Sequence, residues 1–465
     1  MAMQMQQRLT PTAETADGGG DTQRHLRILR SIDDSAFTKR LGLLYAAVNV
    51  AHFFDGFDLT MISVVLPSMV ATFALTAGEA GVLASAAFLG MFIGAIIIPP
   101  IGDRIGRKMA LLLSIAFYSV VSLAMIFAGN YQTALVLRIL QGVGLGAEVP
   151  IVFTYLSEFM PTRWRGVLLS WSVSVWQASA VAAALVAIAV VPTLGWRAMF
   201  AVGAVPLIIL IAVWAFIPES ARYLLRRGRV DEAEDIARKF SSIDPDRAVA
   251  RAAQNLQAAS VMDVLRGKYL RVTLGAWLMN ICWGMAFFGV GAWLPSILIR
   301  LGFTMVHSFA FTGLIIAAEV VGSVTTGFYL DLFGRRASLT GLHLLGGVGM
   351  IAWGYAATPF WIIALGAATA YALGGLAGSL FTYVSEIYPT RYRATGSGWA
   401  TACQRIGGMI APALLGTLMA HHFSALSSFF LLGAVLLGGA AVAMMLTFET
   451  KGRSLEDIGT ALTTS

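Results

Sequence analysis

Charge is scarce in this chain. Asp, Glu, Lys and Arg make up 12% of 465 residues, against 57% hydrophobic, and that charged share is about half the one usual in soluble proteins. A soluble fold of this length needs far more polar surface to cover its core, so a cytosolic enzyme and a disordered chain are both excluded. Cysteine is nearly absent: Cys282 and Cys403 both lie in apolar stretches, which argues against a disulfide framework and a metal site. The first 40 residues lack the apolar core of a secretory signal, so none is expected. No nucleophile constellation or phosphate loop stands out, and no enzymatic activity or cofactor is expected. The net charge of +7 would suggest nucleic acid in a soluble protein, but here the basic residues sit in short loops, and nucleic acid is not an expected partner.

What the chain does have is long apolar runs. A helix needs about 20 mostly apolar residues to cross a bilayer. Twelve such windows fall near 44–71, 81–101, 109–128, 131–157, 167–190, 198–217, 272–299, 308–330, 337–357, 359–385, 394–420 and 425–447. The expected fold is an all-α membrane protein of twelve transmembrane helices, with the lipid bilayer as its surroundings. Residues 1–43 read as a mostly disordered tail, 44–217 as a first bundle of six helices, 218–271 as a central loop, 272–447 as a second bundle and 448–465 as a closing tail. The central loop holds VDEAEDIARKF at 230–240, a helical pattern that predicts short helices there.

Of the 32 Lys and Arg, 28 fall in the two tails and in alternate loops on one side, while the other side has only Arg197 and Arg300. Basic residues mark the cytoplasmic side of short loops. Both termini are therefore expected in the cytoplasm, and the protein in the cell (inner) membrane.

The two bundles repeat at one constant offset. PPIGDRIGRK (99–108) aligns with GFYLDLFGRR (327–336), and FTYLSEFMPTRWRG (153–166) with FTYVSEIYPTRYRA (381–394); Gly56 matches Gly284 and Pro67 matches Pro295. Every pair is 228 apart. The chain reads as a six-plus-six duplication, giving two pseudo-symmetric bundles. Such repeats place a substrate near the bilayer midplane and alternate its access by rocking one half against the other.

At these residues the sequence resembles the major facilitator superfamily: D-R-x-G-R-K after the second span and D-x-x-G-R-R after the eighth look like its loop motif. The resemblance covers about 44–450. One departure is Pro99, where the motif's leading glycine would stand. Physically, Asp103, Arg104, Arg107 and Lys108 sit at a helix end beside a neighbouring helix terminus. Glu158, Arg163 and Arg165, with Glu386, Arg391 and Arg393, are their expected partners, and Asp331 and Arg335 are the equivalents of Asp103 and Arg107 in the second half. Ion pairs across the interface between the halves would hold the cytoplasmic side shut. The plainer alternative is a loop that only fixes orientation.

An ionisable residue at a helix centre costs about 2.5–3.5 kcal/mol on insertion scales, so each is a functional candidate. The candidates are Asp55 and Asp58 in the first span, Arg138 and Glu148 in the fourth, Glu319 in the eighth and Arg405 in the eleventh. His52 and His343 are further candidates. The repeat pairs the six charged candidates, in that order, with Trp283, Ala286, Gly366, Leu376, Met91 and Gln177. None has a charged counterpart, and a feature that breaks the symmetry suits binding or coupling better than fold. Asp55 and Asp58 share one helix face, and two neighbouring carboxylates in low dielectric do not both ionise easily, which suits a proton carrier. Arg138, Gln141 and Glu148 fall within about 80° on one helix. Arg138 either pairs with a carboxylate or holds an anion. Arg405, preceded by Gln404, stays charged and needs an anion or a carboxylate. Tyr155 and Tyr383 stand among the aromatics near the expected cavity, where a ring substrate would stack.

HFFDGFDLT (52–60) and GWATACQRIGG (398–408) are similar to the aromatic acid/proton symporter branch. That resemblance assigns Asp55 and Asp58 to its two first-span acids and Arg405 to its eleventh-span arginine, with Gln404 where the branch has glycine. LGAEVPIVFTYLSEFMP (145–161) also resembles the niacin and organic-ion branch, while PESARYLLRRGR (218–229) and FETKGRS (448–454) resemble sugar-porter signatures. The seventh span, NICWGMAFFG (280–289), lacks the glutamine-rich sugar site.

The expected function is proton-coupled uptake of a small organic acid anion, an aromatic carboxylate, by alternating access. Asp55 and Asp58 would couple the proton. Arg138, Gln141, Glu148, Glu319, Gln404, Arg405, Tyr155 and Tyr383 would bind substrate, and the loop residues would gate. The proton is the coupling ion, no metal is involved, and the protein is expected to be a monomer. The alternatives are a niacin, organic-ion or sugar/polyol carrier, and a transporter-like receptor that binds without flux.

Overall fold

In lipid every backbone N–H and C=O has to be satisfied within its own segment, which leaves the helix as the natural element for these apolar runs. The computed structural model describes residues 14–247, 261–265, 269–388, 390–421 and 425–451. Helix α1 (Glu14–Asp33) precedes the membrane part. The N half holds α2 (Lys39–Phe73), α3 (Ala77–Ile105), α4 (Arg107–Met125), α5 (Tyr131–Phe159), α6 (Thr162–Leu194), α7 (Trp196–Gly203) and α8 (Pro206–Phe216). Next come α9 (Ala221–Arg226), α10 (Val230–Phe240) and the short α11 (Val261–Val264). The C half holds α12 (Tyr269–Arg300), α13 (Met305–Phe333), α14 (Arg335–Gly354), α15 (Pro359–Ile387), α16 (Thr390–Ala420) and α17 (Ala425–Leu446).

Among the described residues, eleven segments are long and apolar enough to cross a membrane, with α7 and α8 together counting as one. The 31-residue α16, which carries Arg405, is the twelfth long helix. The sixth span is broken because Pro206 has no N–H to continue the ladder from α7; it opens α8 instead, where that N–H is not needed. On α8, Ile208, Ile211 and Phe216 are all exposed, as a lipid-facing surface requires.

The duplication extends to single contacts. A Cβ at Gly94 would lie 2.0 Å from the Val143 carbonyl, and one at Gly322 2.0 Å from the Tyr371 carbonyl. A Cβ at Gly146 would lie 2.2 Å from the Met91 carbonyl, and one at Gly374 1.9 Å from the Glu319 carbonyl. All four glycines let helix backbones touch (α3 on α5, α13 on α15), the packing mode favoured in lipid. The halves meet where α3 crosses α16, α6 crosses α13 and α2 crosses α12. The Ala413 amide of α16 donates to Ser85 Oγ at 3.0 Å, and the Phe88 and Phe288 rings lie 4.5 Å apart.

One expectation is overturned. Residues 14–33 of the tail are helical rather than disordered. Gly18-Gly19-Gly20 and the polar composition hid the later part of the segment, where Ile28 and Ile32 share one helix face. Both are buried against Leu224 of α9 and Ala233 and Ala237 of α10. Arg24 pairs with Glu234 at 2.6 Å. Asp33 pairs with Arg165 at 2.6 Å and Arg222 at 3.4 Å. The helix expected at 230–240 is present as α10.

Candidate functional site

The α2 segment buries Asp55 and Asp58 completely, but gives them different company. Asp55 Oδ2 accepts the Trp176 indole N–H from α6 at 2.8 Å, and its Oδ1 has no partner among the described residues. Asp58 Oδ1 accepts the Ser122 hydroxyl of α4 at 3.4 Å; its Oδ2 is also unpartnered. Arg138 of α5 donates to Gln141 Oε1 at 2.6 Å and to the Asp58 backbone carbonyl at 3.4 Å. Gln141 donates to Ser122 at 3.2 Å. One polar chain thus runs Asp58–Ser122–Gln141–Arg138 inside the N half. Arg138 Nε and Nη2 remain without partners, as do both carboxylate oxygens of Glu148. His52, also buried, meets the Phe153 ring edge-on at 5.6 Å.

The C half contributes Arg405, 6% exposed. Its Nη2 reaches across the interface to the Gly146 carbonyl of α5 at 3.4 Å, two residues before Glu148. No ion pair joins Arg405 to Glu319 or Asp58 among the described residues, so Arg405 is not held as a static pair with either. Gln404 turns back into its own half and donates to Asn280 at 2.8 Å. His343 is buried with Nδ1 on the Leu339 carbonyl, away from this cluster.

A cavity of about 740 Å³, its open mouth included, lies between the halves on the side of the membrane away from the basic loops. Thr60, Ser63, Phe88, Phe287, Phe288 and Glu319 help to line it. Among the expected substrate residues only Glu319 lines it directly. Tyr155 and Tyr383 are corrected: they do not line the cavity. Each is fully buried near the basic face, where the Tyr155 hydroxyl donates to the Pro218 carbonyl at 2.6 Å and Tyr383 accepts the Phe448 amide at 3.0 Å. They are 228 apart and anchor the two segments that follow the bundles.

The loop motifs also differ from expectation. Among the described residues their ion pairs close within each half, and none crosses the interface. Arg107 pairs with Asp103 at 2.5 Å and with Glu158 at 3.8 Å. Arg335 pairs with Asp331 at 3.5 Å and grips Glu386 with two nitrogens, at 2.8 and 3.0 Å. The Arg104 carbonyl accepts the Tyr223 hydroxyl at 3.0 Å, and Arg163 lies over the Trp164 ring. The side chains of Arg391 and Arg393 lie outside the described residues.

Sequence reasoning missed Glu219 and Glu449. Glu219 Oε1 accepts the backbone N–H of Arg107 at 2.9 Å and of Lys108 at 3.2 Å, capping α4. Glu449 does the same for α14, accepting from Arg335 at 2.9 Å and Arg336 at 3.0 Å. A carboxylate there meets the helix dipole. Next to them, Ser220 donates to Glu158 and Thr450 to Glu386. Glu219 with Glu449 and Ser220 with Thr450 are each 230 apart, two residues off the 228 of the rest of the duplication. Burial works to raise the Glu449 carboxyl, but the amides of Arg335, Lys451 and Arg336 outweigh it and hold it below the usual range.

The model of the family "Sugar (and other) transporter" matches residues 44–462. The niacin transporter NiaP of Acinetobacter baylyi is 33% identical over 89% of this chain and 95% of its own length. The benzoate transport protein of the same organism is 26% identical, covering 89% and 92%, and the gallate transporter of Pseudomonas putida 28%, covering 82% and 86%. Among solved structures, the inward-open xylose transporter XylE from E. coli superposes with a TM-score of 0.75 at 20% identity, over 90% of this chain and 99% of that one. That likeness establishes the fold. The relatives are transporters, not enzymes.

Proposed function

The chain belongs to the family of sugar (and other) transporters and is a membrane carrier of the major facilitator fold, and we propose that it takes up a small aromatic carboxylate together with a proton. The observation that carries this reading is the set of buried, incompletely partnered charges, Asp55, Asp58, Arg138 and Glu148 in the N half beside Arg405 of the C half. A buried charge without a partner is costly, so the cluster is suited to groups whose partners come and go. A carboxylate arriving from solution gives Arg405 the direct ion pair that it lacks among the described residues. A proton arriving at Asp58 or Asp55 removes a charge whose direct side-chain contacts are one hydroxyl and one indole N–H, with Arg138 and Arg405 as the cations nearby. Because Arg405 bridges to α5 near Glu148, anion and proton are sensed on opposite sides of the same interface, where rocking of the halves changes exposure. Niacin, benzoate and gallate, which name the relatives, share a carboxylate on a six-membered aromatic ring, and the rings of Phe88, Phe287 and Phe288 suit such a partner.

The basic face, with α1, α9 and α10, is assigned to the cytoplasm by its Lys and Arg, in the inner membrane, and a monomer suffices for this mechanism. The sugar reading is weaker, because the cavity is lined chiefly by apolar and aromatic side chains.

The test is uptake of labelled benzoate and nicotinate into proteoliposomes. One pH unit, acidic outside, is worth about 1.4 kcal/mol, or tenfold accumulation for one proton per substrate. Accumulation is expected to follow the gradient and collapse with a protonophore. Uptake indifferent to both overturns the coupling, and no uptake of any aromatic acid overturns the substrate class.

A further inference from the structure

The cavity carries a polar asymmetry that the transport reading does not use. Among its described lining residues Glu319 alone is charged. Its side chain is nearly buried, at 7% exposure, and Oε1 has no hydrogen-bond partner among the described residues. The two hydroxyls beside it are committed elsewhere. Thr60 donates to the Gly56 carbonyl at 2.6 Å and Ser63 to the Thr60 carbonyl at 2.8 Å, so both protons point back into α2. Glu319 is also held rigidly: its own carbonyl lies against Gly374 with no room for a Cβ, which pins α13 to α15 at this residue. A carboxylate fixed in place, facing an aromatic-lined cavity without a donor, matches an occupant that brings the donor itself.

The rings of Phe88 and Phe288 stand between the helix that carries Arg405 and the cavity that Glu319 enters. Gly408, one turn beyond Arg405 on α16, packs so tightly on Phe88 and Phe288 that a Cβ would come within 2.7 and 2.8 Å of their rings. Those same rings line the cavity that Glu319 enters. Resting on the aromatic-carboxylate reading above, we infer that Glu319 reads a hydrogen-bond donor on the ring of a substrate stacked in this aromatic-lined cavity. The site therefore selects aromatic acids carrying a ring hydroxyl, amino or N–H group over the unsubstituted acid. A buried carboxylate left unpaired by a ligand that lacks the donor is the penalty that produces the selection.

The experiment measures competition by benzoate, 3-hydroxybenzoate, 4-hydroxybenzoate and 4-aminobenzoate against labelled substrate uptake in proteoliposomes of the full chain. In the wild type the best donor-bearing acid is expected to compete at a concentration at least tenfold below that of benzoate. Glu319→Met installs the residue that the N half carries at the equivalent Met91 and is expected to bring all four acids within about twofold of one another. Glu319→Asp withdraws the carboxylate by one methylene and is expected to weaken donor-bearing acids at least fivefold relative to benzoate; it serves alone where the Met variant does not fold. A flat preference in the wild type, or an undiminished tenfold preference in either variant, overturns the inference while uptake itself stands. Absence of uptake or competition by every acid is the separate failure of the carboxylate reading.

Discussion

The N half and the C half have nearly the same skeleton and opposite interiors. Their helices touch at equivalent glycines, Gly94 with Gly322 and Gly146 with Gly374, and their loop motifs make equivalent ion pairs, Arg107 with Glu158 and Arg335 with Glu386. Inside, the N half buries Asp55, Asp58, Arg138 and Glu148, where the C half has Trp283, Ala286, Gly366 and Leu376. What recurs keeps two bundles folded and closed at one face. What occurs once has no role in that shared task and costs stability, so it is where function is to be sought. Trp283 shows the difference directly: in place of Asp55 it fills the C half with a ring, its indole N–H satisfied by the Leu373 carbonyl at 2.8 Å.

The largest effects are expected from erasing the asymmetry. Asp58→Asn keeps the shape and the Ser122 contact but cannot cycle a proton. Accumulation driven by one pH unit is expected to fall from about tenfold to simple equilibration, while exchange of preloaded substrate persists; undiminished accumulation would show that Asp58 is only structural. Arg405→Ala removes the C half's one charge in the cluster. The half-saturation concentration is expected to rise at least tenfold, about 1.4 kcal/mol of lost binding, with the fold retained. Unchanged half-saturation takes Arg405 out of the site.

How much of this was legible follows the same division. The spans, the duplication and the list of buried charges came from hydropathy and one offset, because lipid imposes both on the sequence. The partners did not. Nothing in sequence distinguishes Asp55, which meets an indole, from Asp58, which meets a hydroxyl, since Trp176 and Ser122 lie on α6 and α4, far along the chain. Tyr155 and Tyr383 looked like cavity aromatics, although their matched positions at 228 were themselves the sign of a shared structural role. Glu219 and Glu449 escaped because two extra residues shift the second copy to an offset of 230. The fold of α1 escaped because two isoleucines carry the signal within a polar segment.

Smaller effects are expected from breaking what recurs, and the halves are predicted to differ in degree. Glu386 takes two nitrogens of Arg335, whereas Glu158 meets Arg107 at 3.8 Å. Glu386→Gln is therefore expected to cost about 1–2 kcal/mol of stability and Glu158→Gln less than about 1 kcal/mol, since part-exposed pairs contribute little. Equal drops in Tm would mean that the loop pairs are interchangeable.

The cap residue Glu449 gives a test in pH. Its carboxyl is held below the ordinary glutamate value, so its contribution is fully present above that value, about 4.3, and is lost as pH falls through the lower folded value. Glu449→Gln is expected to melt lower than the wild type by about 1 kcal/mol at pH 7, as for other lost caps. The two melting curves should converge as the pH drops below 4. A difference that persists there would assign the effect to packing rather than to charge.

The least effect is expected where the N half has an element with no described counterpart. The helix α1 is joined to the N half by Asp33, which pairs with Arg165 at the start of α6 and with Arg222 on α9, and by the burial of Ile28 and Ile32. The apolar contact dominates: burying an isoleucine is worth about 1.5–3 kcal/mol, a part-exposed ion pair about 0.2–1 kcal/mol. Asp33→Asn is therefore expected to leave α1 docked, speeding amide exchange over residues 26–33 only about two- to fivefold, whereas Ile28→Asp releases the segment altogether. Uptake by Asp33→Asn should match the wild type. If that variant frees α1 as fully as Ile28→Asp does, the ion pairs rather than the apolar face hold it, and the basic face of the N half is an electrostatic assembly, sensitive to salt in a way that its interior is not.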